Sequence, residues 1–450
     1  MTTSDATITG LAPLVARGDV RAERLTEEAL ANIASLNPRL NAFITVTGDE
    51  ALVAARRADR EIAAGRYLGP LHGIPISIKD LIDVAGVPTT AASKLRADCL
   101  ARSDAPVVTH LRTAGAILVG KTNLHEFAFG TTNEDSGWGP ARHPLDETRS
   151  PGGSSGGSAI AVKTGMSIAS VGTDTGGSIR IPAAACGIVG LKPAWGEISA
   201  AGVVPLSRQL DHVGPLARSV ADSALLYDVL RGARPKAQAE IPAGLSGLKL
   251  AVLDGYFVER LSIEVDQGFH ASLEALRRAG AIISAATIPH ASSIAPVYLH
   301  LVLADAAAYH ATTLERRPHA YTPNVRLRLE MGRHILAEDY VRALRGREVL
   351  RQEVDRALDG IDALILPSLS IEAPPIGAAS VPVKGGSEQV RTAMLRCTQL
   401  FNLSGHPAIS VPCGATSAGL PIGLQIVGHH QRTADLLRVA GMIERSLHAD

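Results

Sequence analysis

Residues 150–182, SPGGSSGGSAIAVKTGMSIASVGTDTGGSIRIP, form the most unusual stretch of this chain. They include eight of its 43 glycines, together with seven serines. Two polar segments flank an apolar helix-like piece, 159–165, and an apolar strand-like piece, 167–171. Glycine lets the backbone approach a ligand closely and adopt positive φ, and serine supplies hydroxyl groups. The stretch therefore predicts a binding or catalytic site built on a helix and a strand.

The second polar segment, Thr173-Asp-Thr-Gly-Gly-Ser178, has the features of a loop that binds an oxyanion. Its consecutive backbone N–H groups are little obstructed by side chains, and a serine at its end could attack the carbonyl carbon whose oxygen they hold. Such a serine needs a base, but residues 144–211 contain no histidine. Residues 152–156 offer a hydroxyl that could relay a proton. Lys79 ends an apolar run and is the candidate base, because burial favours a neutral amine.

Three motifs resemble those of the amidase signature family, whose hydrolases use a Ser-cisSer-Lys triad. They are Gly73-Ile-Pro-Ile-Ser-Ile-Lys-Asp80, Pro151-Gly-Gly-Ser-Ser-Gly-Gly-Ser158 and Gly172-Thr-Asp-Thr-Gly-Gly-Ser-Ile-Arg-Ile-Pro182. The spacing of the serines at 154 and 178 is the family's usual one. The similarity is good over residues 20–230, moderate over 360–440 and slight over 240–360.

The resemblance implies a role for each of these positions. Ser178 would be the acylated nucleophile, Lys79 the base, and Ser154, after a cis peptide bond, the proton relay between them. Four residues would provide the oxyanion hole through their backbone: Thr175, Gly176, Gly177 and Ser178. Three residues are expected to contact the substrate: Ala128, Phe129 and Ser155. The family's chemistry implies neither a metal nor a cofactor.

Two shorter motifs suggest other chemistry. Residues 115–122, GAILVGKT, match the P-loop pattern, but their apolar centre is typical of a buried strand rather than of a turn around phosphate. Residues 152–156, GGSSG, match the G-x-S-x-G elbow of α/β-hydrolases, which would make Ser154 the nucleophile. That interpretation needs a strand directly before the elbow, and residues 147–151 do not resemble one. Both alternatives are less favoured than the triad.

Several polar residues near these motifs are interpreted as structural. Asp174 and Arg180 are expected to form an ion pair that shapes the loop, although contact with a substrate is the alternative. Ser155 and Ser158 are candidates for helix capping as well. Three histidines lack the spacing of metal ligands and are interpreted as structural: His125, His143 and His212.

Composition limits the class of protein. The chain is 46% apolar and 20% charged, as in a well-cored globular protein. Alternating strand-like and helix-like segments predict an α/β fold whose sheet is covered by helices on both faces, and the resemblance implies a large mixed central sheet. Lysine plus arginine and aspartate plus glutamate both total 44, which argues against a broad nucleic-acid-binding surface.

The cellular location is predicted from three features of the sequence. Four cysteines are scattered along the chain without metal-ligand spacing, as in a reducing compartment. The N-terminal segment lacks the features of a signal peptide. No uninterrupted apolar run is long enough to suggest a membrane span. We therefore expect a cytoplasmic protein without a membrane partner.

The resemblance implies one amidase domain over residues 1–450, with its signature core at about 65–230. A variable helical, cap-like region is expected at about 290–350. The predicted activity is an amidohydrolase of the EC 3.5.1 type, cleaving C–N bonds of linear amides. The leading candidate substrates are aryl or small acyl amides, and aryl carbamates (urethanes) are a further candidate. The expected partners are a small-molecule amide and at most a second copy of the chain, with no nucleic acid.

A second function within the same family is the A subunit of the bacterial tRNA-dependent amidotransferase. That subunit is a glutaminase whose ammonia passes to a partner protein. Residues 309–318, YHATTLERRP, lack the arginine-tyrosine-glycine pattern associated with its glutamine site, which favours a stand-alone enzyme. A third class, a non-catalytic binding protein on the same scaffold, is disfavoured because all three catalytic positions are present.

Overall fold

The computed structural model describes residue 3, residues 5–235 and residues 244–447. In these ranges the chain forms thirteen β-strands: β1 Phe43–Val46, β2 Pro75–Lys79, β3 Ile117–Thr122, β4 Ala169–Asp174, β5 Val189–Lys192, β6 His212–Ala217, β7 Lys249–Leu253, β8 Ile282–Ala286, β9 Ala363–Pro367, β10 Ser380–Val383, β11 Gly386–Gln389, β12 Ala408–Ala415 and β13 Pro421–Val427. It also forms fourteen α-helices: α1 Ile8–Ala16, α2 Ala22–Leu40, α3 Gly48–Ala63, α4 Pro106–Thr113, α5 Gly156–Lys163, α6 Arg180–Cys186, α7 Val220–Leu230, α8 Ile263–Arg278, α9 Ile294–Arg316, α10 Pro323–Gly332, α11 Ala337–Ala357, α12 Val390–Leu395, α13 Gln399–Leu403 and α14 Thr433–Leu447.

Eleven of the strands form one mixed sheet in the order β1-β3-β2-β4-β6-β5-β12-β13-β9-β7-β8. β2 runs parallel to β3 and β4, and β7 runs parallel to β8 and β9, whereas the strands between these two groups pair antiparallel. The predicted α/β fold with a large mixed sheet is therefore confirmed. β10 and β11 form a separate antiparallel pair.

The helices bury the centre of the sheet. α5 and α6 pack on each other and together contact β2, β4, β5, β12 and β13, while α7, α8 and α14 form a second group on β6, β12 and β13. Every residue of β2 and β4 is buried. Continuous burial is expected of parallel strands covered on both faces. Because β2 and β4 are parallel, their last residues lie at the same edge of the sheet.

Two details of the element boundaries differ from the sequence-based expectations. The dipeptide Asn37-Pro38 predicts the end of a helix, yet α2 continues to Leu40 and ends at Asn41, whose left-handed φ of 51° terminates it. Asp104 is a plausible cap for α4, but the capping position is Ala105. The Asp104 carboxylate instead accepts a hydrogen bond from the Ala85 N–H, at 2.8 Å, and pairs with Arg112.

The region at about 290–350 is helical and consists of α9, α10 and α11, with α9 packed against both of the others. By length and composition alone, residues 291–316 could cross a membrane, and 44% of their most apolar stretch is buried inside the fold. A buried core helix meets the same criteria. Tyr298 of α9 reaches the serine-rich loops, so this helical region contributes to the site.

Candidate active site

Lys79, the last residue of β2, lies beside the end of β4. The register places Ile78 opposite Val171, so Lys79 lies beside Gly172, two residues before β4 ends. Its side chain is fully buried. The amine Nζ donates to the hydroxyl of Ser154 at 2.8 Å and to the hydroxyl of Thr173 at 2.9 Å. The strand pairing therefore joins the lysine motif to both serine-rich segments.

The surroundings of Lys79 favour a neutral amine near physiological pH. Burial lowers the pKa of Lys79 to about 7, and the negative charges of Asp174 and Asp211 oppose that shift. No carboxylate within the described ranges forms a direct ion pair with its Nζ; the hydrogen bonds go to hydroxyl and carbonyl oxygens. A neutral amine in contact with a hydroxyl can accept its proton, so Lys79 has the geometry of a general base.

The two serine-rich segments meet through the backbone. The Gly153–Ser154 peptide bond is cis, as the resemblance implies. The Ser155 N–H donates to the Ser178 carbonyl at 3.2 Å, which holds the loop of residues 175–178 against the first segment. The Ser178 hydroxyl makes no hydrogen bond to any described residue and faces a cavity. Among the described residues, the Ser154 and Ser178 hydroxyls are not bonded to each other directly, so the relay requires rotation of a serine side chain.

The loop after β4 carries backbone donors that are not used by the fold. None of the N–H groups of residues 175–178 is bonded to another described residue. Gly177 has a φ of +141°, and a Cβ there would collide with the Thr398 hydroxyl, so only glycine fits. Four unpaired donors at the cavity containing Ser178 are suited to binding an oxyanion.

A buried ion pair between Asp174 and Arg180 stabilises the loop of residues 175–178. Arg180 binds Asp174 through two hydrogen bonds of 2.9 and 3.0 Å, and both side chains are fully buried. Burial alone would raise the pKa of Asp174, but the charge and hydrogen bonds of Arg180 hold it below its usual value. Arg180 also donates to Gln425 and Asn402. The ion pair predicted from the sequence is present and is structural.

Asp211 is a second carboxylate at the loop, and the sequence motifs gave no role to it. The Thr175 hydroxyl donates to Asp211 at 2.6 Å, and the Leu206 N–H donates to it at 3.0 Å. Burial raises the pKa of Asp211 to about 6, against the effect of these hydrogen bonds. Thr173, which contacts Lys79, also lacked an assigned role. Thr173 lies within the motif at 172–182, whereas Asp211 lies 29 residues beyond it in the sequence. Only the fold brings Thr173 to Lys79 and Asp211 to Thr175.

A narrow cavity of about 10 Å³, here called the inner cavity, adjoins Ser178. Its wall includes Thr175 and Gly176 from the loop, together with Ala128 and Phe129, two of the three residues predicted to contact the substrate. Four further residues of the wall come from distant parts of the sequence and carry no motif: Leu206, Tyr298, Arg391 and Leu395.

Ser155 does not line the inner cavity, contrary to its predicted contact with substrate. It is fully buried, and its hydroxyl donates to the Thr173 carbonyl at 3.2 Å. The hydroxyl is therefore used to fasten α5 to the end of β4. Ser155 occupies the N-cap position of α5, as predicted, although its hydroxyl makes no capping hydrogen bond. The Ser158 hydroxyl bonds that of Thr122 at 2.7 Å instead of capping the helix.

The structure also decides the competing motif interpretations. The P-loop match at 115–122 folds as strand β3, as its apolar centre suggests, and its Lys121 forms an ion pair with Asp80 at 2.9 Å. The segment before Ser154 is not a strand, so the α/β-hydrolase elbow is absent. His143 and His212 bond backbone carbonyls, and His125 lies 3.2 Å from Asp135, which fits structural roles.

Known proteins similar to this chain match over nearly its full length. The chain is 39% identical to the A subunit of glutamyl-tRNA(Gln) amidotransferase from Chloroflexus aurantiacus, over 98% of this chain and 96% of that protein. A crystal structure of an amidase superposes with a TM-score of 0.92 at 38% identity, covering 98% of this chain and 99% of the other. A chain from an inhibitor-bound vestigial protein complex, described as revealing the evolutionary origins of an s-triazine catabolic enzyme, superposes with a TM-score of 0.92 at 33% identity, covering 98% of this chain and 99% of the other.

These relatives correct the predicted partners. The sequence analysis expected a small-molecule substrate alone, no nucleic acid and at most a second copy of the chain. That expectation is wrong, because the Chloroflexus relative is by name one subunit of an enzyme that acts on a tRNA. A balanced net charge describes only this chain. It carries no information about a nucleic acid held by a partner protein.

The family model named Amidase matches residues 24–437. That range contains the lysine motif, both serine-rich segments and the strands β2 and β4 that bring them together. Enzymes of this family act on amide C–N bonds, which agrees with an amine base, a relay hydroxyl and a serine beside an oxyanion-binding loop. The chain belongs to the amidase signature family.

Proposed function

We propose that this chain hydrolyses a small carboxamide through an acyl-enzyme on Ser178, as the amide-cleaving subunit of an amidotransferase. One observation carries the chemistry: a fully buried lysine with a pKa near 7 contacts the Ser154 hydroxyl at 2.8 Å. The role in an amidotransferase is supported by the relative from Chloroflexus aurantiacus, aligned from end to end.

In the proposed first half-reaction, the Ser178 Oγ attacks the carboxamide carbon and a new C–O bond forms. Its proton passes to Ser154, whose own proton passes to the neutral amine of Lys79. The oxyanion that develops is held by the free N–H groups of residues 175–178. Collapse breaks the C–N bond, and the proton returns from Lys79 through Ser154 to the leaving nitrogen, which departs as ammonia.

In the second half-reaction, water takes the place of Ser178 as the nucleophile. Lys79 accepts its proton through Ser154, and the proton then returns to Ser178 as the ester bond breaks. The products are a carboxylic acid and free enzyme. No step requires a metal or a cofactor, because the base, relay and oxyanion donors all belong to the chain.

The narrowness of the inner cavity favours small substrates. Its open space is only about 10 Å³, and it is walled by Phe129, Tyr298 and Leu395 as well as the loop. Small acyl carboxamides, glutamine among them, would need less widening of this space than aryl amides or aryl carbamates. The proposed location remains the cytoplasm, which agrees with free thiols at all four cysteines: Cys99, Cys186, Cys397 and Cys413.

The chemistry and the assembly can be tested separately. A fluorophosphonate probe should label Ser178 in the isolated chain, and Lys79→Met should slow that labelling strongly. Absence of label from the native chain would refute the proposed nucleophile.

For the assembly, the chain would replace its homologue in the reconstituted Chloroflexus aurantiacus amidotransferase. Conversion of glutamyl-tRNA(Gln) to glutaminyl-tRNA(Gln) would support the proposed role in the assembly, with Ser178→Ala as the control. Labelling of Ser178 without any amide formation on the tRNA would leave the amidase chemistry standing and reject the role in the assembly.

A further inference from the structure

A second cavity, here called the outer cavity, adjoins the inner one. Its volume is about 340 Å³, and it shares two wall residues, Arg391 and Leu395, with the inner cavity. Exposed apolar side chains, Leu299, Leu327 and Met331, form part of its wall. A substrate entering from the outer cavity would therefore pass Arg391 before it reached Ser178.

Among the described residues, Arg391 is a cation without a hydrogen-bonding or ionic partner, and its guanidinium carbon lies 5.9 Å from the centre of the Phe129 ring. No hydrogen bond or ion pair joins its guanidinium to any residue in the described ranges, and the side chain is partly buried. Burial lowers the pKa of Arg391, which reflects the cost of placing this charge away from water. An arginine has five N–H donors, and leaving them unused in a partly buried site is unfavourable.

Other arginines buried nearby show what a structural role looks like in this protein. Arg180 is bound by Asp174, Gln425 and Asn402. Arg396, only five positions after Arg391, is paired with Glu388. The contrast indicates that Arg391 is not part of the internal ion pairing of the fold.

The walls of the two cavities carry an excess of positive charge. Arg391 and Arg328 both lie 5.9 Å from the centre of the Phe129 ring. Arg328 is held in place because it donates to the Phe129 carbonyl at 2.6 Å. Among the described residues that line either cavity, none is an aspartate or a glutamate. The site therefore attracts an anion and offers no counter-charge for an ammonium group.

We propose that Arg391 binds a carboxylate of the substrate, so that the enzyme prefers short carboxamides that carry a carboxylate, with or without an ammonium group. This inference rests on the proposed hydrolysis at Ser178 and names the class of its substrate. Guanidinium is well suited to this contact because it binds carboxylate with two parallel hydrogen bonds. The carboxylate would lie at the junction of the cavities and direct the carboxamide towards Ser178.

The test compares three amides of similar length. Glutaramate, the monoamide of glutaric acid, carries a carboxylate alone, glutamine carries a carboxylate and an ammonium, and pentanamide carries no charge. Binding to the full chain with Ser178→Ala would be measured by calorimetry, which does not depend on turnover. We expect glutaramate to bind about 10- to 100-fold more tightly than pentanamide, and at least as tightly as glutamine.

Arg391→Met in the same background should remove the difference between glutaramate and pentanamide, and Arg391→Lys should keep part of it. Arg278→Met, at an exposed position of α8, is the matched control and should change nothing. Equal affinity for glutaramate and pentanamide, loss of glutaramate binding on Arg278→Met, or unchanged selectivity after Arg391→Met would overturn the assignment. Fluorophosphonate labelling of Ser178 reports on the proposed hydrolysis independently.

Discussion

Two buried lysines lie near the ends of neighbouring strands and face different surroundings. Lys79 on β2 and Lys121 on β3 are 0% and 1% exposed, respectively. Lys121 contacts the Asp80 carboxylate at 2.9 Å, whereas Lys79 contacts the hydroxyls of Ser154 and Thr173. Burial lowers the pKa of both amines, and only at Lys121 does a carboxylate in direct contact oppose the shift. A buried lysine is thus a candidate base when its amine contacts uncharged oxygen atoms rather than a carboxylate.

The largest expected effect comes from removing the candidate base. Lys79→Met should lower kcat/KM by about 10³-fold or more, because the Ser154 hydroxyl loses the group that accepts its proton. The substitution replaces a buried amine with a side chain of similar length, so the fold should persist. Ammonia release and far-ultraviolet circular dichroism would be measured on the same preparation. Activity within tenfold of the native enzyme would remove Lys79 from the mechanism.

The corresponding change at the other lysine should affect stability instead. Lys121→Met leaves the buried Asp80 carboxylate unpaired, and we expect a loss of about 3–5 kcal/mol in the free energy of unfolding. Urea denaturation would measure this loss. Asp80→Asn combined with Lys121→Met should recover much of it, since the buried charge is then gone. The roles of the two lysines would be reversed from our interpretation if Lys121→Met were stable but as inactive as Lys79→Met.

The sequence was sufficient to predict which residues of the proposed triad come together, but not the rest of the candidate site. Lys79, Ser154 and Ser178 lie in contiguous motifs, and two parallel strands are enough to bring those motifs together. The α/β class could likewise be predicted from alternating apolar segments. Strand β8 escaped prediction because it is a sheet edge with exposed side chains, Ile282 among them. The insertion of β12 and β13 between β5 and β9 depends on pairings that no local pattern encodes.

The far wall of the inner cavity could not be predicted for a related reason. Tyr298 lies on α9, where the resemblance to the family is slight, and Arg391 lies on α12, where it is moderate but no quoted motif includes this residue. Local sequence cannot reveal that Arg391 lacks a partner, because that property depends on which carboxylates the completed fold brings near it. The residues proposed for the catalytic chemistry thus lie in short contiguous motifs, whereas those proposed to select a substrate are brought together only by the tertiary fold.

The smallest expected effect is a shift in the pH dependence of kcat/KM when a hydrogen-bond partner of Lys79 is removed. With a pKa of about 7 for Lys79, kcat/KM should rise tenfold per pH unit below 7 and level off above it, as the amine loses its proton. Thr173→Val removes a hydroxyl that accepts a hydrogen bond from Nζ at 2.9 Å. This acceptor favours the ammonium form, so its loss should move the rise to lower pH while kcat falls only about tenfold or less.

Stability gives an independent measurement of the same ionisation. The folded protein releases the Lys79 proton near pH 7, but the unfolded chain keeps it to about 10.5. The unfolded state therefore binds more protons between those values, and the contribution of Lys79 to the free energy of unfolding rises with pH across that window. Relative to Lys79→Met, the native enzyme should gain stability from pH 7 to pH 10, and Thr173→Val should begin that gain at a lower pH. A pH-independent difference between native enzyme and Lys79→Met would mean that Lys79 stays charged in the folded state, as a structural cation like Lys121.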